Sequence, residues 1–333
     1  MSISGMARHP LGFFPTPLQE LSRLGAELGG PRLFIKRDDQ TGLALGGNKT
    51  RKLEFLVGDA LAHGCDTLIT GGATQSNHCR QTAAAAAACG LECHLVLGGE
   101  APEQPQGNLL LDHLFGATIH WAGDNRRGED IPRIAEELRE KGRKPYVVPY
   151  GGSSMVGAAA FVAALGELKV QAEEAGLAFS HVIFASSSAG THAGMIVGNK
   201  LHGLGMKVIG VGIDKWEMED EDFRGLILDL CGQLCAEVCR GVEVRREDVV
   251  LDERFVGEGY GVVGALEREA ILLLASREGI LVDPVYTGRA FGALVAMVRE
   301  GAFGKDDRVL FWHTGGAPAI FSYAGSLCGE FRR

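Results

Sequence analysis

The sequence predicts an α/β protein built on parallel β-sheets that are covered by helices on both faces. Short runs rich in β-branched and aromatic residues alternate with longer helical segments along the 333-residue chain. Such alternation is typical of folds in which a helix connects two parallel strands. Glycine pairs such as Gly71-Gly72, Gly151-Gly152 and Gly315-Gly316 follow predicted strands. Ligands of these folds bind beyond the carboxyl ends of the strands, so the glycine pairs mark the expected ligand site.

The predicted elements follow one another in a regular order. The strands are predicted at Leu33–Lys36, Thr67–Thr70, His94–Leu97, Thr118–His120, Tyr146–Val148, His181–Phe184, Lys207–Val211 and Arg308–Trp312. The helices are predicted at Asn48–His63, Ser76–Cys89, Gln106–Phe115, Pro132–Lys141, Ser154–Glu174, His192–Leu201, Gly264–Arg277 and Arg289–Arg299. These lengths suit strands and helices of one or two globular domains.

Composition and net charge indicate which classes of binding partner the protein can have. Glycine accounts for 48 of the 333 residues, about twice its average share. Because apolar residues recur throughout, this excess belongs to turns or to places where the backbone approaches a ligand closely. The formal net charge of −9 argues against nucleic acid as a partner, since binding to nucleic acid needs a basic face.

The sequence shows no run of about 18 apolar residues and no secretory pattern at its start, so we expect no membrane association and a cytoplasmic protein. Its 8 cysteines lack the paired spacing of a disulfide framework, which fits a reducing compartment. Cys231, Cys235 and Cys239 would form one stripe on a helix. A metal site is one interpretation, but Leu230 and Leu234 nearby favour a core-facing stripe, so we expect no metal.

The first motif is the segment Gly46-Gly47-Asn48-Lys49-Thr50-Arg51-Lys52-Leu53-Glu54, in which two glycines precede a predicted helix. A helix N-terminus favours anions and disfavours cations. Lys49 and Lys52 are therefore poorly placed for the helix itself, and they suit an anionic or electrophilic ligand bound there. The alternative is a pair of solvated lysines.

The second motif is Gly71-Gly72-Ala73-Thr74-Gln75-Ser76-Asn77-His78. Ser76 or Asn77 would serve as the N-cap of the following helix. One cap residue is enough, so a row of polar side chains also favours a loop that faces a ligand. The third motif, Ser186 to Gly194, is rich in small residues, and its backbone N–H groups would suit a phosphate.

The pattern Gly259-Tyr-Gly261-Val-Val-Gly264 matches a dinucleotide fingerprint literally. That fingerprint needs a strand directly before it, and the preceding residues are too short and broken for one, so we reject it. Two further segments, Asp283 to Arg289 and His313 to Pro318, place hydroxyl groups beside glycines. Tyr286 would be either a core residue or, with Tyr260, an acid–base group.

Together these segments resemble the D-cysteine desulfhydrase and 1-aminocyclopropane-1-carboxylate deaminase family of pyridoxal-phosphate enzymes, which includes L-cysteate sulfo-lyases. The matching stretches lie in the family's order over nearly the whole chain. They are Phe34 to Asp38, Gly46 to Glu54, Gln75 to His78, Ser188 to Gly194, Leu281 to Gly288 and His313 to Pro318.

The resemblance implies the tryptophan-synthase-β-like fold, known as fold type II, with two α/β domains whose sheets are mostly parallel. A smaller domain, residues 48–155, would be inserted into a larger pyridoxal-phosphate-binding domain of residues 1–47 and 156–333, with the cofactor in the cleft. The family is also expected to form homodimers.

The resemblance further implies roles for individual residues. Lys49 would form the Schiff base with pyridoxal 5'-phosphate. Ser76, Tyr260 and Tyr286 would join Lys49 as the catalytic set. The remaining cofactor contacts would come from Lys52, Asn77, Ala189, Gly190, Thr191, Thr287 and Thr314. The substrate, a small amino acid, would contact Ser76, Asn77 and His78.

One departure from the deaminases bears on the reaction. They carry glutamate after the tyrosine of the Asp-Pro-Val-Tyr motif, where this chain has Thr287. A hydroxyl from Thr287 or Thr314 would leave the pyridine nitrogen unprotonated and the ring a weaker electron sink, which is adequate when the β-substituent leaves easily. We therefore expect β-elimination of sulfide from D-cysteine or of sulfite from L-cysteate.

Two alternatives stay open. One is deamination of 1-aminocyclopropane-1-carboxylate, and the other is a non-catalytic homologue that binds the cofactor for regulation. An L-cysteate substrate would need an additional cation or donor in the pocket for its sulfonate. The candidates for that group are Lys215, Arg289 and His78.

Overall fold

The computed structural model describes residues 3–215 and 222–327, which form two β-sheets and the helices around them. The strands are Leu18–Glu20 (β1), Arg32–Arg37 (β2), Thr67–Ala73 (β3), Glu92–Gly98 (β4), Thr118–Trp121 (β5), Pro145–Val147 (β6), His181–Ser186 (β7), Lys207–Gly212 (β8), Val250–Asp252 (β9) and Arg308–His313 (β10). The α-helices are Ser22–Leu28 (α1), Lys49–Ala62 (α2), Asn77–Cys89 (α3), Gly107–Leu114 (α4), Ile131–Glu140 (α5), Met155–Glu174 (α6), Gly190–Leu201 (α7), Phe223–Glu237 (α8), Ala265–Glu278 (α9), Thr287–Arg299 (α10) and Ala324–Leu327 (α11).

The larger sheet has six strands in the order β1-β2-β10-β7-β8-β9. β1 pairs with β2 in the antiparallel sense, and the other neighbours in this sheet are parallel. The smaller sheet has four strands in the order β5-β4-β3-β6, all paired in parallel. Two mostly parallel sheets with helices between their strands confirm the predicted fold class.

Successive residues of the larger sheet point to opposite faces, and each face is covered by helices. Phe34, Leu310 and Trp312 belong to one apolar cluster, together with residues of α6, α7 and α8. Ile35 and Phe311 belong to a second cluster on the other face, together with residues of α1, α9 and α10. The strands are therefore buried on both sides, as expected for parallel sheets.

The smaller sheet has the same layered arrangement. Leu68 and Leu95 pack with residues of α2, α3 and α4 on one face, whereas Ile69 and Val96 pack with α5 on the other. All four strands of this sheet lie between residues 67 and 147, inside the range 48–155 given above for the smaller domain. The exact domain boundary stays a prediction.

Helix α6, with 20 residues and a mean hydropathy of 1.3, is long and apolar enough to cross a membrane. Its apolar side chains Phe161, Leu165 and Leu168 are fully buried against neighbouring elements. The apolar character of α6 is therefore accounted for by its place in the core.

The structure confirms each predicted strand and helix and adds β1, β9, α1, α11 and the 15-residue helix α8. β1 and β9 have three residues each, too few for a periodic pattern.

Helix α8 contains Cys231, whose thiol is buried and has its pKa raised by burial to about 12. Cys239 lies beyond the end of that helix and is also buried. In residues 3–215 and 222–327 no group of three or more His, Cys, Asp or Glu is arranged to hold a metal ion.

Candidate active site

The carboxyl ends of β3, β7 and β10 meet the first turns of α2, α3 and α7 around one pocket. Its empty volume is about 650 Å³. The glycine-rich loops of the sequence form much of the wall, as the fold class predicts. The lining residues are Asn48, Lys49, Ser76, Asn77, His78, Tyr150, Gly151, Ala185, Ser186, Ser187, Ser188, Ala189, Thr191, His192, Tyr286, Thr314 and Gly315.

Lys49 and Lys52 share one acceptor at the start of α2. The Nζ atom of Lys49 donates to the carbonyl oxygen of Gly151 at 3.2 Å, and Nζ of Lys52 donates to the same oxygen at 3.0 Å. Lys49 lines the pocket, whereas Lys52 is fully buried behind it. Burial and the charge of Lys49 lower the pKa of Lys52 well below its usual value. An anion bound nearby would offset both effects and favour the charged form of Lys52.

The loop before α7 offers a place for that anion. Ala189 has a left-handed φ of 66°, which turns the chain sharply into the helix. A Cβ atom on Gly190 would lie 3.2 Å from Nζ of Lys52 and 2.9 Å from Oγ of Ser153, so this position leaves a cradle that a side chain would fill. The helix N-terminus, the small residues and the buried Lys52 ammonium fit a phosphate group.

The residues predicted to contact the phosphate differ in whether they reach the pocket. Ala189 and Thr191 line the pocket, whereas Gly190 is buried behind them. The N–H of Gly190 donates to the carbonyl oxygen of Ser188 at 2.8 Å and to Oγ of Ser153 at 3.2 Å. The backbone amide of Gly190 is therefore already hydrogen-bonded, which the sequence pattern did not predict.

Ser76 combines the two roles that the sequence left open. It is the N-cap of α3, since its Oγ atom accepts the backbone N–H of Cys79 at 3.2 Å. It also lines the pocket. Because the hydroxyl oxygen accepts in the cap, its proton stays available to donate to a ligand. Asn77, the first residue of α3, lines the pocket beside Ser76.

His78 is neutral and its tautomer follows from its neighbours. The hydroxyl of Thr70 donates its one proton to the carbonyl oxygen of Val148 at 2.8 Å. The contact of 2.9 Å between Nε2 of His78 and Oγ1 of Thr70 therefore has Nε2–H as the donor. Burial, with the charges of Lys49 and Lys52, lowers the pKa of His78 well below its usual value. A neutral imidazole is not a cation for a sulfonate.

The two predicted tyrosines meet at the pocket. The hydroxyl oxygens of Tyr260 and Tyr286 lie 2.6 Å apart, and the rings pack edge to face with centroids 5.7 Å apart. Tyr286 lines the pocket, and Tyr260 lies behind it. Burial raises the pKa of both phenols well above the usual value, so both keep their protons at neutral pH.

The two threonines assigned to the pyridine ring differ in position. Thr314 lines the pocket, whereas Thr287 is fully buried and is not on the wall. Oγ1 of Thr287 accepts the backbone N–H of Asp283 at 2.8 Å and approaches Oδ1 of Asp283 at 2.6 Å and the carbonyl oxygen of Gly315 at 3.1 Å. The Thr287 hydroxyl thus belongs to the turn that begins α10.

The other cations considered for a sulfonate lie elsewhere. Arg289 is fully buried, and its Nε donates to Oε1 of Glu267 at 2.6 Å. Its Nη1 donates to the carbonyl oxygens of Ile213 and Gly259 at 2.7 and 3.0 Å. Lys215 is exposed and does not line the pocket. Arg289 instead holds the loop that carries the rejected glycine pattern.

Sequence reasoning missed Tyr150 as part of the site. Tyr150 lines the pocket directly before Gly151, the residue whose carbonyl accepts both lysines. Gly151 has a φ of 62°, so it adopts the left-handed conformation that favours glycine. An aromatic residue next to a glycine pair at a strand end was the signal that would have indicated it.

The chain matches known proteins over nearly its whole length. The family model described as pyridoxal-phosphate dependent enzyme matches residues 10–315. A 1-aminocyclopropane-1-carboxylate deaminase of Methylobacterium sp. (strain 4-46) is 39% identical, and the alignment covers 95% of this chain and 96% of the relative. A protein of the same name from Burkholderia cenocepacia is 40% identical, with 98% of each chain covered.

Solved structures show the same relationship. A crystal structure described as an ACC deaminase homologue superposes with a TM-score of 0.89 at 37% identity, over 98% of this chain and 96% of that one. Diaminopropionate ammonia lyase from Escherichia coli shares the fold, with a TM-score of 0.71 at 15% identity over 97% and 89% of the two chains. The cofactor of this protein is therefore pyridoxal 5'-phosphate, and its contacts with Lys49 and Lys52 stay a prediction. The chain belongs to the pyridoxal-phosphate dependent enzyme family, in the branch of D-cysteine desulfhydrases and 1-aminocyclopropane-1-carboxylate deaminases.

Proposed function

We propose that this enzyme is a carbon–sulfur lyase that eliminates the β-substituent of a small sulfur-containing amino acid. With D-cysteine and one water, the products would be pyruvate, ammonia and hydrogen sulfide. With L-cysteate and one water, they would be pyruvate, ammonia and sulfite. In both reactions the bond from the α-carbon to its proton breaks, followed by the bond from the β-carbon to sulfur.

Pyridoxal phosphate supplies an electrophilic carbonyl and a conjugated ring that withdraws electrons from the α-carbon of an amino acid. Lys49 is the amine on the pocket wall and the candidate for moving the α-proton. The Ser76 hydroxyl has its proton available to position the substrate carboxylate. The raised pKa of Tyr286 keeps its phenol protonated, so Tyr286 is the candidate on the pocket wall to give a proton to the departing sulfur. Tyr260 can replace that proton through the 2.6 Å contact.

The observation that carries the proposal is the lack of an acidic side chain on the wall. Within the described ranges, the pocket is lined by hydroxyl, amide, imidazole and amine groups and by bare backbone. The buried carboxylate of the α10 turn, Asp283, is not on the wall and accepts the backbone N–H groups of Val285, Tyr286 and Thr287. A ring nitrogen facing neutral groups makes a weaker electron sink, which favours substrates with a good leaving group over opening of a cyclopropane ring.

Deamination of 1-aminocyclopropane-1-carboxylate is the second candidate. It is supported by the name shared by the two relatives, which are 39% and 40% identical over nearly the whole chain. The reaction would consume one water and yield 2-oxobutanoate and ammonia. The lack of a carboxylate on the pocket wall is the feature that places this reaction second.

The test is to incubate the purified holoenzyme separately with D-cysteine, L-cysteate and 1-aminocyclopropane-1-carboxylate. The 2-oxo acid, sulfide, sulfite and ammonia are then assayed. The proposal requires pyruvate with sulfide or sulfite at the highest kcat/KM. A higher kcat/KM for 2-oxobutanoate formation would establish the deaminase instead. A holoenzyme inert toward all three would favour the regulatory homologue.

Two lysine variants test the chemistry. Lys49→Ala removes the amine on the pocket wall. Lys169→Ala removes an exposed lysine of α6 and is the control for the loss of a lysine elsewhere. Lys49→Ala should abolish both the visible absorption of the covalently bound cofactor and turnover, whereas Lys169→Ala should change neither. Retention of that absorption by Lys49→Ala would contradict the assignment of Lys49.

A further inference from the structure

A buried polar cluster lies behind the pocket wall, formed by Arg80 of α3 and Asn108 of α4. Both side chains are fully buried, and neither lines the pocket. Nη1 of Arg80 donates to Oδ1 of Asn108 at 2.7 Å and to Oδ1 of Asn77 at 2.9 Å. Nδ2 of Asn108 donates to Oδ1 of Asn77 at 3.1 Å and to the carbonyl oxygen of Gln75 at 2.8 Å. Both residues thus contact the pocket residue Asn77 from behind.

These contacts decide which way the Asn77 carboxamide points. Two N–H donors meet the same atom of Asn77, so that atom must be the oxygen. The orientation of Asn108 is equally determined, because a backbone carbonyl requires its amide nitrogen. These two donors leave the NH2 group of Asn77 on the other side of the carboxamide, and it takes part in none of the hydrogen bonds found within residues 3–215 and 222–327. Since Asn77 lines the pocket, this N–H is offered to a ligand.

The same cluster ties this wall to the loop that carries Lys49. Nη2 of Arg80 donates to the carbonyl oxygen of Gly46 at 2.6 Å, three residues before Lys49. Oε1 of Gln75 accepts the backbone N–H of Asn108 at 2.9 Å. One buried guanidinium therefore connects, through Nη1 and Nη2, the two loops that meet at the pocket.

We propose that Arg80 and Asn108 are positioning residues that hold the Asn77 carboxamide with its NH2 group toward the pocket, as a donor to an anionic oxygen. That oxygen belongs either to the cofactor ring or to the substrate carboxylate. The inference rests on the cofactor and not on which substrate the enzyme takes.

A double-mutant cycle tests the proposal with Asn77→Ala, Asn108→Ser and the double variant, all as holoenzymes. The first readout is the pH midpoint of the visible absorption of the bound cofactor, measured without substrate. A donor to a ring oxygen stabilises the form with a negative oxygen, so its loss raises the midpoint. Each single variant should raise it by about half a unit or more, and the double variant should match Asn77→Ala alone.

The second readout separates the two sources of the oxygen. If the acceptor is the substrate carboxylate, the midpoint should stay constant. KM should then rise about fivefold or more in each single variant with little change in kcat. The double variant should again show no further rise. Either pattern supports the proposal that Arg80 and Asn108 act through Asn77. The pH midpoint is measured without substrate, so it tests the proposal even if the substrate assignment is wrong.

Asn199→Ser is the matched control, because Asn199 also bridges backbone groups, those of Met206 at 2.9 and 3.1 Å, on the outer part of α7. It should change neither readout. If Asn108→Ser fails to fold, Arg80→Lys keeps the charge and loses the guanidinium fork, and it should show the same cycle with Asn77→Ala. Additive effects at positions 77 and 108, or no effect of either positioning variant, would overturn the proposal.

Discussion

The hydroxyl oxygens of Tyr260 and Tyr286 lie 2.6 Å apart, so one phenol donates to the other at the edge of the pocket. Tyr260 comes from the loop before α9 and Tyr286 from the residue before α10. Since burial raises the pKa of both phenols, the pair enters the reaction carrying two protons. Tyr286 touches the pocket, and Tyr260 is placed to supply it with a proton.

Tyr286→Phe should therefore lower kcat by roughly two to four orders of magnitude, the range for loss of a general acid. Tyr260→Phe should have a smaller effect, because Tyr286 keeps its own proton in that variant. The measurement is steady-state formation of the 2-oxo acid from the best substrate.

Tyr146→Phe is the matched control, since its hydroxyl donates to Oδ2 of Asp59 at 2.7 Å on β6, away from the pocket. It should keep the kcat of the wild type. If Tyr286→Phe kept the kcat of the wild type, Tyr286 would have a packing role and no role in proton transfer.

Lys52→Met should weaken cofactor binding by roughly 10- to 100-fold, the worth of a hydrogen bond to a charged group. The apoenzyme should be as stable as the wild type or more so, because the substitution replaces a fully buried polar amine with an apolar side chain. The measurements are the cofactor Kd by equilibrium dialysis and the Tm of both apoproteins. Lys169→Met, on the surface of α6, should change neither quantity. An unchanged cofactor Kd in Lys52→Met would argue against a phosphate next to Lys52.

Thr314→Val and Thr287→Val should have different consequences. Thr314 lines the pocket, so loss of its hydroxyl should shift the visible absorption of the bound cofactor and lower kcat about 3- to 10-fold. Thr287→Val leaves Asp283 with fewer partners in a fully buried turn, and should cost about 1–3 kcal/mol of unfolding free energy. Spectroscopy, kinetics and urea unfolding of both variants test this. The opposite pattern would place Thr287 at the cofactor.

Local patterns predicted much of the fold and of the site. The longer helices and strands have a clear periodicity, and Lys49 and Ser76 follow glycines at the ends of strands or the starts of helices. The parts that were missed depend on contacts between distant segments. Asn108 meets Asn77 only because α4 packs on α3, and nothing in the sequence near Asn108 indicates this contact. The partner of the Thr287 hydroxyl likewise follows from the turn at Asp283 and not from residue type.

The base of α2 leads to a prediction about stability in acid. Arg51, two residues after Lys49, donates from Nη1 and Nη2 to the two carboxylate oxygens of Glu167 at 2.8 and 2.9 Å. Lys36 contacts Oε1 of Glu167 at 2.5 Å. Burial alone would raise the pKa of Glu167, but the hydrogen bond and charge of Arg51, with Lys36, outweigh it and lower the pKa to about 2.

Because the pKa of Glu167 in the folded protein lies below the usual glutamate value of 4.5, the unfolded chain binds more protons between these two values, and stability falls as the pH drops through this window. The contribution present at neutral pH is on the order of 3 kcal/mol. Glu167→Gln should be less stable than the wild type at pH 7, and the difference should shrink as the pH falls from about 5 toward about 3. Urea unfolding across this pH range measures the difference.

Glu173→Gln, on the exposed side of the same helix, should follow the wild type at each pH. A difference between Glu167→Gln and the wild type that is independent of pH would mean that Glu167 stabilises the fold by shape and packing rather than through its charge. A shrinking difference would show that the ion pairs with Arg51 and Lys36 anchor the helix that carries Lys49.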